Sequence, residues 1–437
     1  MEKIKNLRVD PNPEDIEDFL TKDILDRNRF IEALINIILN SDDGVILDLN
    51  GAWGSGKTVI ANELKEIVQN KNCMVADIEN GLLQPFRDDY EVFYYNAWEN
   101  DQYNPSESVI FQLISRYWGT KEEISDTVLG AVHAFISESI RISSLGLLDI
   151  SKINDIKYTK GMFDEVTNLN KRREKASDVI SAVLSEKRKK HLLFIVDELD
   201  RCNPIFAVRL IEVMKHYFTN EKTKLLFITN NIELASIIEK YYGEKFSGYN
   251  YLDKIFDLVI DIPQPDRKKF VDATNDTMAE WCRDAIIGMA DYYDMSLREI
   301  KRYCVLMRIS RQYLDSVQRK RISEGDPLVL FARSLLLPAI LAAKVKSLND
   351  FSALVNWGSE GQAVIQKIEE ETEYAKSLIS NYNLGSMSRV HTANGLYQEL
   401  LTSTGRTAER QVVKDIRKVV AEMVSLINIM PQSIKIS

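Results

Sequence analysis

The run GAWGSGKT at residues 51–58 constrains the fold of this chain more than any other stretch of the sequence. It matches G-x-x-x-x-G-K-[ST], the pattern of a loop that binds phosphate between a strand and a helix. The apolar run VILDL at residues 45–49 precedes it, and apolar residues at helical spacing follow over residues 59–68. We therefore predict an α/β fold in which a parallel sheet is flanked by helices.

The composition of this loop fits a site for an anionic phosphate group. Glycines lack a Cβ atom, so the backbone can adopt positive φ angles and turn its N–H groups inward around the anion. The lysine adds a positive charge for the β- and γ-phosphates, and the threonine hydroxyl is placed to bind Mg²⁺. The predicted nucleotide-binding residues are Gly51, Gly54, Ser55, Gly56, Lys57 and Thr58.

A second stretch, LLFIVDELDRC at residues 192–202, supplies the acidic groups that such a site needs. Its first five residues are all apolar, as in a strand that is buried on both faces of a parallel sheet. Asp197, at the end of this strand, is predicted to bind Mg²⁺ together with Thr58. Glu198 is predicted to be the general base that polarises the attacking water.

Three motifs resemble those of the KAP family of P-loop NTPases: the Gly-x-Trp-Gly-Ser-Gly-Lys-Thr loop, the run YNAW at residues 95–98, and the run DELDRC at residues 197–202. The resemblance extends from about Asp26 to about Arg302. It implies an additional-strand P-loop NTPase, related to AAA+ and STAND ATPases, with ATP and Mg²⁺ as cofactors. Many bacterial members are associated with plasmids, prophages and defence against phage, and many carry transmembrane helices between the two Walker motifs.

The resemblance also implies residues that respond to the γ-phosphate. Asn230 follows an apolar run at residues 225–228, where relatives place sensor 1, although asparagine also starts ordinary turns. Arg298 lies in the first turn of a helix that opens with a capping box, Ser296-Leu297-Arg298-Glu299. It is the candidate for sensor 2, and ordinary surface arginines at 298 and 302 are the alternative.

Three further residues are assigned less directly. In relatives, the region of Arg27 and Arg29 lies near the adenine, so both could line the base pocket, and two solvated arginines are the equal alternative. The resemblance places Trp98 beside the catalytic centre, but a tryptophan at a strand end more often anchors packing, which we favour.

The charge and the cysteine count restrict the class of partner and the compartment. A net charge of −9 argues against a protein that coats nucleic acid, so a nucleic-acid partner is possible but not favoured. Four cysteines are scattered without metal-ligand spacing, which fits reduced thiols. The N-terminal residues lack the pattern of a signal peptide. We therefore predict a cytoplasmic protein.

Neither of the two most apolar segments is predicted to cross a membrane. Residues 128–148 contain His133, Glu138 and Arg141, and residues 328–343 contain an arginine and a proline. Both fall short of about 18 clean apolar residues. This expectation departs from the membrane-inserted pattern of many relatives.

The chain is predicted to contain a P-loop NTPase core over residues 22–262 and a helical lid and C-terminal helical region over residues 263–437. Within the core, residues 73–78 and 92–95 are predicted strands, and residues of about 106–185 form a helical insertion. A terminal helix over residues 406–430 has apolar residues at a/d spacing, which favours a core-facing helix over a coiled coil.

These features predict an ATPase that uses nucleotide state to change shape or assembly, in a bacterial defence or mobile-element system. Its partners would be ATP and a protein partner or further copies of the chain. A nucleotide-gated scaffold with little turnover is one alternative, and a nucleic-acid translocase is another. ATP is preferred over GTP because the Asn-Lys-x-Asp motif that reads guanine is missing from the sequence.

Overall fold

The computed structural model describes residues 13–118, 125–145, 171, 173–274, 278–319, 327–381, 392–402 and 407–429. Parts of the predicted helical insertion, residues 119–124, 146–170 and 172, lie outside the described residues. The chain divides into two compact units. The α/β unit comprises Pro13–Asp23 and Arg27–Gln264, and the helical unit comprises Ile24–Asp26 and the chain from Pro265 onward.

The α/β unit is built on a sheet of five parallel strands in the order β2-β3-β4-β1-β5. The strands are β1 Ile46–Asn50, β2 Tyr90–Asn96, β3 His191–Asp197, β4 Thr223–Thr229 and β5 Leu258–Asp261. Because β4 lies between β1 and β3, the strand before the phosphate loop and the strand that ends at Asp197 are not neighbours. This order is the additional-strand arrangement, and it confirms the predicted α/β fold.

The register of the sheet brings the ends of four strands to one edge. Asn50 pairs with Thr229, and Asp197 pairs with both Ile228 and Asn96. Parallel strands end on the same side of a sheet, so the loops after β1, β2, β3 and β4 share this carboxyl edge.

Helices cover both faces of the sheet. One face carries α1 Pro13–Lys22, α2 Asn28–Asn40, α3 Lys57–Gln69 and α4 Asn80–Asp89. The other face carries α5 Pro105–Trp118, α6 Asp126–Leu145, α7 over residues 173–187, α8 Pro204–Val213, α9 Asn231–Tyr242 and α10 Gly248–Asp253. Side chains of β3 alternate between the two cores: Phe194 points to one and Ile195 to the other, both fully buried. The apolar run at residues 192–196 is thus buried on both faces, as predicted.

The helical unit contains ten helices among its described residues. They are α11 Arg267–Thr274, α12 Glu280–Tyr292, α13 Leu297–Arg319, α14 Pro327–Phe331, α15 Leu337–Lys346, α16 Leu348–Val355, α17 Ser359–Glu371, α18 Glu373–Asn381, α19 Ala393–Thr402 and α20 Thr407–Ile429. A π-helical turn, Ala332–Leu336, joins α14 to α15. The capping box of α13 is confirmed, because Ser296 N donates to Glu299 Oε2 at 2.8 Å and Glu299 N donates to Ser296 Oγ at 3.4 Å.

One helical stretch within the described part of the chain, Pro327–Lys346, has the length and composition of a membrane-spanning helix, with a mean hydropathy of 1.9. Of its most apolar window, 78% is buried inside the fold. The core helices of soluble proteins meet the same criteria, so this stretch is weak evidence for a membrane span.

The predicted strand at residues 73–78 is wrong. The segment contains no regular strand, although Cys73, Val75 and Ile78 are buried against the core. Its backbone instead bonds to a helix end, because Ala76 N donates to Leu20 O at 3.0 Å. The apolar residues of this segment therefore indicate burial against the core and not pairing in a sheet.

The terminal helix is confirmed as a core-facing helix. Its buried residues include Val413, Ile416, Val420, Met423 and Ile427. This face is turned slightly from the predicted a/d seam, since residues 412 and 426 of that seam are only partly buried.

Candidate nucleotide-binding and hydrolysis site

The phosphate loop runs from the end of β1 to the first residue of α3. Gly54 and Gly56 have φ angles of 80° and 93°, in the left-handed region that favours glycine. A Cβ atom on Gly51 would lie 2.3 Å from a methyl carbon of Ile262 and 2.9 Å from Ser55 Oγ. The three glycines are therefore required by the backbone path and by the space beside it.

Two side chains of the loop point to an anionic ligand. Lys57 Nζ donates to the carbonyl oxygens of Gly51 and Ala52, inside the loop. Burial lowers the pKa of Lys57, while the carboxylates of Asp200, Asp197 and Glu198 oppose that shift. Ser55 Oγ is buried and has no hydrogen-bond partner. A buried ammonium and an unpartnered hydroxyl in one cradle fit a phosphate group.

Asp197 meets the phosphate loop at the end of β3. Its Oδ2 atom accepts hydrogen bonds from Thr58 Oγ1 at 2.7 Å and from Tyr94 OH at 3.0 Å. Its Oδ1 atom accepts one from Glu198 N at 2.7 Å. The Asp197 side chain is almost fully buried, which raises its pKa, and the hydrogen bond from Thr58 opposes that shift.

Thr58 and Asp197 fit the protein side of a Mg²⁺ site. Both offer oxygen atoms, the ligand type that Mg²⁺ prefers, and their oxygens are already 2.7 Å apart. No cluster of three or more His, Cys, Asp or Glu side chains suited to a metal occurs in the described ranges. That result is compatible with Mg²⁺, because the ion is usually held by one or two protein groups together with phosphates and water.

Glu198 lies in a turn that holds its carboxylate against an arginine. Its φ angle of 62° is left-handed, and a 3-10 helix, Leu199–Arg201, follows it directly. Arg201 Nε lies 2.5 Å from Glu198 Oε2. The Arg201 guanidinium carbon lies 5.7 Å from the ring centroid of Trp98, which follows β2. Arg201 is therefore the central member of a row of three side chains, with the predicted base at one end and the Trp98 ring at the other.

A tryptophan joins the phosphate loop to the same turn. Trp53 Nε1 donates to Asp200 Oδ2 at 2.6 Å, and Asp200 is buried. Two motifs separated by more than a hundred residues thus share a hydrogen bond. Trp98 is not the packing anchor that we favoured, because it is 52% exposed.

Asn230, predicted as sensor 1, caps the helix that follows β4. Its side-chain oxygen accepts a hydrogen bond from Ile232 N at 3.3 Å. The next residue, Asn231, faces the sheet, where its Nδ2 donates to Asp48 Oδ2 at 2.8 Å. Thr229 Oγ1 donates to Asp48 Oδ1 at 2.8 Å. Burial raises the pKa of Asp48 to about 7. Sensor function at Asn230 stays a prediction, and the contacts seen there are those of a helix cap.

The predicted sensor 2 residue belongs to the helical unit. Arg298 lies in the first turn of α13, and its side chain is half-buried. Arg302, one turn later, is also half-buried, and its Nε atom is buried without a hydrogen-bond partner. The role of Arg298 stays a prediction.

Arg27 is a buried arginine and not a solvated one. Its side chain is 1% exposed, and Nη2 donates to Pro263 O at 2.6 Å. Burial lowers the pKa of Arg27 to about 10, and the nearby Glu63 carboxylate opposes that shift. The solvated alternative for Arg27 is therefore wrong and its place in the base pocket stays a prediction, whereas Arg29 is exposed on α2.

Sequence reasoning missed four residues that the structure places in or beside the site: Tyr94, Arg201, Asp200 and Asp48. The tyrosine and Asp48 belong to strand runs that were read only for burial. Asp200 and Arg201 belong to the run DELDRC, in which only the first two acidic residues had been assigned a role. A polar residue inside an otherwise apolar strand was the available signal for Asp48.

The model for the KAP family P-loop domain matches residues 27–314, which is more than half of the chain. No curated protein matches it. A solved structure described as "Structure of C. elegans PCH-2" aligns at 12% identity over 94% of this chain and 71% of its own, with a TM-score of 0.24. A similarity at that level carries no argument about this chain.

Proposed function

This chain belongs to the KAP family of P-loop NTPases, and from the geometry of its site we propose that it binds ATP with Mg²⁺ and hydrolyses the β–γ phosphoanhydride. The observation that carries the proposal is the 2.7 Å hydrogen bond between Thr58 and Asp197. It joins the phosphate loop to the end of β3, the strand that carries the Walker B acid Asp197, although β4 separates β1 from β3. Lys57 lies in the same loop, so the groups expected around the β- and γ-phosphates come together.

Each residue has a definite task in this proposal. The loop N–H groups, Ser55 and Lys57 bind and neutralise the phosphates. Thr58 and Asp197 hold Mg²⁺, which supplies charge neutralisation on the phosphate oxygens when bound. Glu198 orients the attacking water and accepts its proton. ATP is preferred because Thr229-Asn230-Asn231-Ile232 departs from the guanine-reading motif.

We further propose that nucleotide state drives a conformational or assembly switch. The proposal includes a protein partner or further copies of the chain, a cytoplasmic location, and a role in anti-phage defence or a mobile-element system. It is supported by the KAP membership and by the presence of a helical unit that begins just after β5. Arg298 at the start of α13 is the residue proposed to sense the γ-phosphate.

A second candidate function is a nucleotide-gated scaffold with little turnover. The observation that favours it is the ion pair between Glu198 and Arg201, because that pair engages the predicted base. The two candidates differ in one measurable property, the rate of ATP hydrolysis relative to a variant without the base.

The test compares wild type with Lys57→Ala and Glu198→Gln. Lys57→Ala is expected to abolish binding of ATP in titration calorimetry, because it removes the cation that faces the phosphates; unchanged affinity would contradict the phosphate-loop assignment. Glu198→Gln should still bind ATP but hydrolyse it about 10²-fold more slowly. If wild type is as slow as Glu198→Gln while an ATP analogue still shifts its elution from a sizing column, the scaffold is the better function.

A further inference from the structure

We propose that Arg201 is a positioning residue that holds Glu198 in a resting arrangement, so that hydrolysis requires this ion pair to open. The inference rests on the proposed role of Glu198 as the base. It adds a restraint on that base, formed by Arg201 and by the exposed ring of Trp98.

The turn after β3 builds the pair locally. Glu198 has a left-handed backbone, and the 3-10 helix Leu199–Arg201 follows it directly. The chain thus turns back within three residues, and the guanidinium of Arg201 meets the carboxylate of Glu198. Arg201 N also donates to Glu198 O at 3.2 Å, which closes the turn through the backbone.

The pair is shielded from solvent. The side chain of Glu198 is 16% exposed and that of Arg201 is 29% exposed. Water therefore competes less for the two groups than it does at a surface pair, where such contacts contribute little. Arg201 Nε lies 2.5 Å from Glu198 Oε2, so the two charges are in direct contact as an ion pair.

The strand next to β3 is β2, and the turn after β2 places the third side chain, Trp98. Asn96 and Asp197 are paired in the register of β2 and β3, so the residues just beyond them lie side by side. Asn96 Oδ1 accepts hydrogen bonds from the N–H groups of Trp98 and Glu99, which fixes the turn after β2. The Trp98 ring then lies 5.7 Å from the Arg201 guanidinium carbon, within the range of a cation–π contact.

The consequence follows from what a paired cation does to a general base. A guanidinium in contact with a carboxylate fixes where that carboxylate points, and its positive charge makes the carboxylate a weaker acceptor for the proton of water. Glu198 Oε2 is held in this way. Removing Arg201, or removing the Trp98 ring that contacts it, should therefore release Glu198 and raise the basal rate of ATP hydrolysis.

The experiment measures single-turnover ATP hydrolysis, with ATP affinity measured in parallel. Arg201→Ala and Trp98→Ala are expected to raise the basal rate about fivefold, the factor that corresponds to about 1 kcal/mol, while ATP affinity stays the same. Arg201→Lys, which keeps the charge but loses the planar group that stacks on an aromatic ring, should give a smaller rise. Arg209→Ala, at an exposed arginine of α8, is the control for loss of positive charge and should leave the rate unchanged.

The outcomes separate this inference from the proposed function. If Glu198→Gln hydrolyses ATP at the wild-type rate, the base is misassigned and both fail. If Glu198→Gln is inactive and Arg201→Ala is no faster than wild type, only the restraint is overturned. The double variant Glu198→Gln/Arg201→Ala should remain as slow as Glu198→Gln. Should Arg201→Ala fail to fold, Trp98→Ala decides the inference by the same rate comparison.

Discussion

Asp48 gives a prediction whose magnitude follows from the structure. This carboxyl group is fully buried on β1, just before the phosphate loop, and burial raises its pKa from 3.8 to about 7. Hydrogen bonds from Thr229 and Asn231 oppose that shift but do not cancel it. The folded chain therefore binds this proton more tightly than the unfolded chain does.

The sign of the pH dependence follows directly. The stability that the tightly held proton contributes is fully present below pH 3.8 and is lost as the pH rises through about 7. Between pH 5 and pH 8 the loss is about 2.5 kcal/mol, at about 1.36 kcal/mol for each pKa unit.

Replacing Asp48 with Asn removes the titration and keeps an oxygen that can accept from Thr229. Relative to wild type, Asp48→Asn should gain about 2.5 kcal/mol of unfolding free energy between pH 5 and pH 8. Urea unfolding, followed by tryptophan fluorescence at several pH values, measures this difference. Asp261→Asn, at an exposed carboxylate on the adjacent β5, is the matched control and should show little change.

A difference between Asp48→Asn and wild type that is the same at every pH would refute the reasoning. In that case the hydrogen bonds from Thr229 and Asn231 would be enough to keep the carboxylate ionised in the fold. An equal response in Asp261→Asn would show instead that the effect is not specific to the buried group.

Three further predictions concern the site. Gly51→Ala should destabilise the chain by about 1–3 kcal/mol in thermal or urea unfolding and should weaken ATP binding, because the new Cβ would lie 2.3 Å from an isoleucine methyl carbon. Gly81→Ala is the control and should be neutral or stabilising, because a Cβ there would have no neighbour within 4 Å. Tyr94→Phe removes one of three donors to the Walker B aspartate, so the Mg²⁺ concentration for half-maximal binding of a fluorescent ATP analogue should rise about fivefold; an unchanged Mg²⁺ titration would contradict this role. Arg298→Ala should erase most of the difference between ATP and ADP in protease sensitivity of the segment after β5, with Arg302→Ala as the control; if both variants keep that difference, the helical unit does not sense the nucleotide.

The local chemistry of the site was predictable from sequence because it depends on residues close together in the chain. The glycines at 51, 54 and 56 indicate positive φ angles or close approach of other atoms to the backbone. The apolar run before Asp197 indicates a strand that is buried on both faces. These signals need no knowledge of distant contacts. They were sufficient to predict the parallel α/β fold, the loop and the strand that ends in the Walker B acid.

Local signals were misleading where burial could be achieved in more than one way. Residues 73–78 have the apolar content of a strand, but their backbone bonds to the end of α1 and not to the sheet. Arg27 looked like a surface or ligand-binding arginine, and the fold buries it beside Glu63. In both cases the outcome depends on the segment that packs opposite, which a single stretch of sequence does not contain.

The sequence by itself determined that a phosphate loop, a Walker B acid and a neighbouring glutamate exist in this chain and which strands carry them. Only the tertiary structure decided that Tyr94 donates to Asp197, that Trp53 bonds to Asp200, and that Trp98 contacts the arginine that is paired with Glu198. The physical reason is the order of the strands. Pairing β2 with β3, and inserting β4 before β1, sets which loop ends meet at the carboxyl edge, and these contacts join residues that are far apart along the chain.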